Sequence, residues 1–549
     1  MNEEPPHANT GRWRDALAAL GFPVLVAIHS PISLFAVNVD EVIPEETVRS
    51  IAVLALAALV TAILMSLLWR DVARGALAAG IAWLAILSYG HVYNVVRTAT
   101  VAGVLVGRHR YLAPLFGGVV LLSWILISRK LRPATATVAS ATLVALALVI
   151  FAGLPILLYY VPESNGTVPT NAPQPAPTGA GTVRPEDLPD IYYIIVDAHG
   201  RADTLEAFYG YDSESFLSDL RQEGVFIAEK SLSNYSQTAL SLGSSLNMMY
   251  LDGLADSQGP DSGDRRPARN LVTRNAVVAL ANELGYQVVA TETASLWEVF
   301  EGVDLYLRPD YVTPYAEFAV LGGLGLNPFE GMVVESTLAR VWYDRLIASQ
   351  GSTQSVTNFE YQKHRDRILF QFEQLRRIAA MEGPQFALVH IMAPHAPFVF
   401  GSQGEEVPNP RAFTLLDGGC CAREEYLERL PPQVAFIDRM IVQSVTAILA
   451  ASKEPPIIVI QGDHGPAGYI YPEAPPEWGR LDRMAILNAY FLPERCRAAL
   501  YPEITPVNTF RVIFGACLGL PYDLLADASY FSEYERPYDF IPVTNLNLE

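Results

Sequence analysis

Before residue 161 the chain carries five apolar stretches, over Leu20–Val39, Val48–Trp69, Ala76–Val96, Tyr111–Ser128 and Thr135–Tyr160. Each is close to the roughly 20 residues that cross the hydrocarbon core of a bilayer. In lipid the backbone must satisfy its own polar groups, so stretches of this kind fold as helices. The fourth is marginal in length, which leaves four spans as the alternative. The first is not a cleaved signal peptide, because no small-residue cleavage site follows it and further spans do. Residues 1–160 are therefore expected to form a transmembrane anchor of about five helices.

Basic residues set the expected orientation. Arg12 and Arg14 precede the first span, Arg70 and Arg74 lie between the second and third, and Arg129, Lys130 and Arg132 between the fourth and fifth. With these inside, the N-terminus is cytoplasmic. The loop with Asp40, Glu41, Glu45 and Glu46 is then outside, and so is everything after the fifth span. The expected location is the cell membrane, multi-pass, with an extracytoplasmic domain. Arg97, Arg108 and Arg110 fall on the outer side against the rule. They serve either as interfacial anchors or as contacts for lipid phosphates or an anionic substrate.

Residues 161–188 are rich in Pro, Thr and Gly, including Thr170-Asn-Ala-Pro-Gln-Pro-Ala-Pro-Thr178, a composition that cannot build a core and reads as a linker. Residues 189–549 are expected to form one globular domain. The net charge of −20 argues against nucleic acid as a partner. The four cysteines, Cys420, Cys421, Cys496 and Cys517, match no zinc spacing. In an extracytoplasmic domain Cys496 and Cys517 are a plausible disulfide pair; buried free thiols are the alternative.

In the globular part, strand patterns at 191–196, 225–228, 286–290, 386–391, 457–461 and 488–492 alternate with helical ones such as 268–283, 359–381 and 433–452. The last carries Val434, Ile437, Ile441, Val445 and Ile448 at amphipathic spacing. Alternation on this scale predicts an α/β fold, a mostly parallel sheet sandwiched by helices, preceded by the α-helical transmembrane bundle.

Two of the strand runs end in acid. Ile191-Tyr-Tyr-Ile-Ile-Val196 stops at Asp197, and Ile457-Ile-Val-Ile460 leads through Gln461 and Gly462 into Asp463-His464-Gly465. Ligands of open α/β sheets bind beyond the carboxyl ends of the strands. Carboxylates and an imidazole delivered there suit a divalent metal ion. Asp197 has a helix cap or turn as its alternative role, and Asp-His also occurs in loops by chance.

Between them, Thr238 opens a Ser/Thr-rich helical run that continues through Leu240 and Leu246. A helix N-terminus favours an anion, and a metal-coordinated hydroxyl there becomes a nucleophile. Simple capping is the other reading. His395 sits between two prolines after the strand 386–391, placed to meet a ligand or act as an acid. His390, within that strand, reads as a satisfied core histidine. Trp297 either walls the pocket or packs in the core.

Strand–Asp, Thr at a helix start, His-x-Pro, then strand–Asp-His-Gly: in this order the motifs resemble the alkaline phosphatase superfamily, in its sulfatase-like membrane branch. Lipoteichoic acid synthases and phosphoethanolamine transferases belong to that branch. The resemblance covers about residues 189–530 and extends to the helical anchor. It implies Asp197, Thr238, Asp463 and His464 as ligands of one divalent metal ion (Mn²⁺, Zn²⁺ or Mg²⁺), Thr238 as the nucleophile, and His395 as the substrate-side histidine. The membrane transferases often have Glu where Asp197 stands. The Cys-x-Pro-x-Arg motif of true sulfatases is absent from the sequence, which argues against sulfate-ester hydrolysis by that route.

The activity so implied is a metal-dependent phosphotransferase or ester hydrolase. It would move a phospho-headgroup from a membrane lipid, through a phospho-threonine, to an envelope glycan or lipid acceptor. The contrasting reading is a catalytically degenerate scaffold in envelope assembly, which need hold no metal. Transport through the spans is disfavoured, because their only charges lie near the ends.

Overall fold

The computed structural model describes residues 8–39, 42, 44–97, 99–101, 104–129, 135–160, 188–295, 297–309, 328–349, 358–407, 413, 415, 421–469, 476–543 and 546. The linker read over 161–188 lies outside them up to residue 187. The chain divides into two compact units, Met1–Glu163 with Val312–Val356, and Ser164–Tyr311 with Thr357–Glu549.

The first unit contains α1 (Ala8–Val37), α2 (Pro44–Trp69), α3 (Val72–Val96), α4 (His109–Arg129) and α5 (Thr135–Tyr160). All five are long and apolar enough to cross a membrane. Small residues line their seams: Ala19, Ala73 and Ala76 are buried together with Val138, which lets helix backbones approach closely. Leu56, Leu64 and Leu68 on α2 and Leu143, Ile150 and Phe151 on α5 are exposed. An apolar surface of that extent calls for apolar surroundings.

Two short helices, Pro328–Ser336 and Arg340–Ser349, belong to this same unit. Phe329 and Val333 are buried with Phe35, and Val341 with Tyr89 and Leu112. Arg49 pairs with Glu330. His109 donates from Nε2 to Asp344 Oδ2 at 2.6 Å and accepts at Nδ1 from the Tyr89 hydroxyl at 2.7 Å. A Cβ on Gly90 would lie 2.2 Å from the Glu335 carbonyl oxygen, so this approach requires glycine. The sequence reading of 189–549 as one continuous domain does not contain this return. Its physical reason is that the apolar residues of these two helices find their partners on α1, α3 and α4.

In the second unit seven strands form one sheet. They are β1 (Ile191–Val196), β2 (Phe226–Ile227), β3 (Gln287–Thr291), β4 (Leu305–Leu307), β5 (Gln385–Ile391), β6 (Ile457–Gln461) and β7 (Asn488–Phe491). The order is β2-β7-β6-β1-β5-β3-β4. β7 runs against both its neighbours, β2 and β6; β1, β3, β4, β5 and β6 pair in parallel. The expected α/β class, a mostly parallel sheet preceded by a helical bundle, is what the chain adopts.

The apolar runs are continuous because both faces of the sheet are covered. Side chains alternate along each strand. Ile191, Tyr193 and Ile195 therefore enter one core with Phe386, Leu388, Ile457 and Val459. Tyr192, Ile194 and Val196 enter the other with Ala387, Val389, Ile458 and Ile460.

The same unit contains the helices α6 (Thr238–Ser245), α7 (Asn358–Ile378), α8 (Arg423–Ala451) and α9 (Pro476–Met484). By length and composition α8 is a sixth helix able to cross a membrane. Its Ile437, Ile441, Val445 and Ile448 are instead buried against the sheet face that holds Ile194 and Ile460. Cys496 and Cys517 form a disulfide with their Cα atoms 5.0 Å apart.

Candidate metal centre

β1 is the middle strand, flanked by β5 and β6. Val196 stands opposite Ile391 and Ile195 opposite Gln461, so the three carboxyl ends are level. That register brings together Asp197, the loop after β5, and Asp463-His464. The Asp197 N–H donates to the Ile391 carbonyl (2.9 Å), and the His395 N–H to the Asp197 carbonyl (3.0 Å). Ala198 turns with φ at 60°, and its N–H donates to Asp463 Oδ1 at 3.2 Å. On the other loop, a Cβ on Gly465 would lie 2.0 Å from the Asp482 carbonyl oxygen. Glycine is thus what lets the chain turn directly after His464.

Asp197, Asp463 and His464 are buried, with one ligand atom of each within 4.8 Å of the others. Among the described residues they are the group of three able to hold a metal ion. His464 donates from Nδ1 to the Gly465 carbonyl at 3.0 Å, which fixes the tautomer and leaves the Nε2 lone pair facing the site. Around Nε2 stand Asp463 Oδ2 at 3.3 Å and Asp197 Oδ1 at 3.8 Å. The Thr238 hydroxyl donates to it at 3.1 Å. Both carboxylate oxygens of Asp197, and Oδ2 of Asp463, are buried without a hydrogen-bond partner among the described residues. Buried carboxylate oxygens without partners are costly, and a divalent cation offsets that cost. Two carboxylates, one imidazole and one hydroxyl are a donor set that such an ion accepts. On this test the residues present fit a metal ion.

Thr238 is the first residue of α6 and is half-buried, so its hydroxyl is reachable. The loop before it is tied to the other side of the site, because Ser233 Oγ donates to the Asp463 carbonyl at 2.6 Å. His395 is buried, donates from Nδ1 to the Ala396 carbonyl, and has its ring centroid 6.2 Å from that of His464. Asp197, Thr238, His395, Asp463 and His464 therefore meet at one sheet edge.

Three residues that the sequence did not reveal adjoin them. Glu298 is fully buried and accepts from His390 Nδ1, with its two oxygens at 2.7 and 2.9 Å. His390 Nε2 lies 3.3 Å from Asp197 Oδ2. His390 is thus a core histidine whose two carboxylate neighbours make it a support for Asp197. Burial works against its protonation, but Glu298 and Asp197 outweigh burial and raise its pKa well above the ordinary imidazole value. For Asp197 burial pushes the pKa up; His395, His390 and His464 together win and hold it below the usual carboxylate range. Arg483, on α9, donates from Nη2 to His464 Nε2 at 3.0 Å. His364, on α7, is buried with neither ring nitrogen hydrogen-bonded among the described residues. For Glu298 the one sequence signal is its place next to Trp297. Arg483 and His364 lie in no motif. Trp297 is partly buried against both the Tyr193 and the Tyr235 clusters, the core-packing role.

No protein-family model matches the chain, and no curated protein matches it. Solved structures do. The C-terminal periplasmic domain of EcEptC from Escherichia coli, in complex with Zn, is similar over 65% of this chain and 92% of that one, at 10% identity and a TM-score of 0.39. The integral membrane protein lipooligosaccharide phosphoethanolamine transferase A (EptA) from Neisseria meningitidis is similar over 91% of this chain and 95% of that one, at 12% identity and a TM-score of 0.34. BT1596, a 2-O GAG sulfatase, is similar over 61% of this chain and 72% of that one, at 13% identity and a TM-score of 0.36. These neighbours are phosphoethanolamine transferases and sulfatases, and the likeness is loose in every case.

Proposed function

We propose that the chain is a membrane-anchored, metal-dependent phosphotransferase of the sulfatase-like kind, with Thr238 as its nucleophile. One observation carries the reading: the Thr238 hydroxyl points at the same His464 nitrogen that faces the unpartnered oxygens of Asp197 and Asp463. Asp197, Asp463, His464 and Thr238 would hold one divalent ion. That ion, when bound, would lower the pKa of the hydroxyl and neutralise charge on a phosphoryl group.

The chain's own residues do the rest. Thr238 Oγ1 attacks the phosphorus of a phospholipid headgroup ester, and its proton passes to solvent. A phosphorus–oxygen bond forms to Thr238, and the bond to the diacylglycerol oxygen breaks. His395 protonates that oxygen from Nε2, since its Nδ1 is held by the Ala396 carbonyl. The N–H groups that open α6 stabilise the equatorial oxygens. In the second half, the hydroxyl of an envelope glycan or lipid, or water, attacks the phospho-threonine in line and gives its proton to His395. The five apolar helices would keep this site beside its lipid donor, on the extracytoplasmic side of the cell membrane if the N-terminus is cytoplasmic.

The test is turnover by the full-length protein in liposomes that contain a headgroup-labelled phospholipid. Thr238→Ala is expected to abolish diacylglycerol release, and Thr238→Ser to retain part of it. An unchanged rate in Thr238→Ala refutes the assignment.

A further inference from the structure

Arg483 is 9% exposed and sits inside the site rather than at its rim. Its guanidinium joins the two loops that carry the chemistry. Nε donates to the Ser236 carbonyl at 2.8 Å, two residues before Thr238. Nη1 donates to the Gly465 carbonyl at 3.4 Å, one residue after His464. Nη2 donates to His464 Nε2 at 3.0 Å, and Thr238 Oγ1 donates to that same nitrogen at 3.1 Å. A fixed positive charge is thereby held next to the hydroxyl that would take up a phosphoryl group. A planar guanidinium fork is the side chain best matched to paired phosphoryl oxygens.

We propose that Arg483 binds the non-bridging oxygens of the phosphoryl group at Thr238, an inference that rests on the phosphotransferase reading above. Nε2 of His464 has one lone pair. Arg483 and a metal ion address the same pair, and only one of them can take it. With an ion held there, Nη2 would turn from His464 toward the anion while Nε keeps its hold on Ser236. Arg483 is then a phosphoryl-binding residue that opposes metal binding slightly and favours the bound phosphoryl group strongly.

This pairing of effects separates it from a residue that merely holds the fold. In full-length protein in detergent, zinc is titrated by calorimetry, and then inorganic phosphate is titrated into the zinc-loaded protein. Arg483→Gln is expected to bind zinc at least as tightly as the wild type and phosphate about 10- to 100-fold more weakly. Arg483→Lys keeps the charge without the fork and is expected to fall between the two. Equal phosphate affinity in Arg483→Gln and wild type overturns the proposal, as does a joint loss of zinc and phosphate in a folded variant. If Arg483→Gln does not fold, Arg483→Lys decides: zinc affinity kept with phosphate weakened supports the proposal, and phosphate affinity equal to wild type overturns it. A wild-type protein that binds no zinc, manganese or magnesium refutes the phosphotransferase reading itself, a different outcome from failure of the Arg483 role alone.

Discussion

Glu298 offers a perturbation whose size follows from its surroundings. It is fully buried, its two oxygens lie 2.7 and 2.9 Å from His390 Nδ1, and His390 in turn lies 3.3 Å from Asp197. Glu298→Ala removes one partner of a buried charged pair, leaves His390 Nδ1–H facing a void, and takes away the larger of the two influences that favour the charged imidazole. Loss of this kind costs about 3–5 kcal/mol. Glu298→Gln keeps a carbonyl acceptor for Nδ1–H and removes only the charge, so its cost is about 1–2 kcal/mol. His390 also orients Asp197, and loss of such an outer partner weakens a metal site by about 10- to 100-fold. Thermal unfolding of the full-length protein in detergent reads the first effect, and zinc calorimetry reads the second. The expected order in both is wild type, then Glu298→Gln, then Glu298→Ala. A Glu298→Ala protein that melts with the wild type and binds zinc as tightly refutes the idea that Glu298 supports Asp197 through His390.

Other positions give further expected outcomes. Gly465→Ala places a Cβ 2.0 Å from the Asp482 carbonyl oxygen and 2.8 Å from that of Ala485, both backbone atoms. It is expected to lower stability by about 3 kcal/mol or more and to lose metal binding, as read by a melt and a zinc titration. Burial and, after it, Arg367 depress His364 to about 3, so it is neutral when folded and titrates in its ordinary range when unfolded. Between about pH 3 and 6.5 the unfolded chain then binds the extra proton, and stability falls as pH falls by about 1.4 kcal/mol per unit from this group. His364→Phe is expected to flatten the decline of the melting temperature from pH 6.5 to pH 4.5. Equal declines in variant and wild type contradict that origin.

What could be read from the sequence is what depends on short-range patterns. β1, β5 and β6 announce themselves as mostly apolar runs because both sheet faces are covered. Asp463 and His464 are visible because one turn supplies both. The five apolar helices follow from length alone. β4 escaped because it is three residues long and only half-buried. The helical pattern over 268–283 breaks in two at Asn275, whose side chain accepts from the Val278 N–H and starts a new helix. Glu298 and Arg483 were out of reach for another reason. Glu298 becomes meaningful only when folding sets it against His390, and Arg483 only when α9 turns it onto His464. The two short helices at 328–349 likewise show their role through partners on α1, α3 and α4, far from them in sequence.

Metal stoichiometry of the full-length protein in detergent decides most directly whether the edge formed by Asp197, Thr238, Asp463 and His464 is a metal-dependent centre. The protein is equilibrated with zinc or manganese, freed of excess, and analysed for metal per chain. One ion per chain is expected in the wild type. None is expected in a folded Asp463→Asn, His464→Ala double variant. A wild type that retains no ion, or a double variant that retains as much as the wild type, contradicts it.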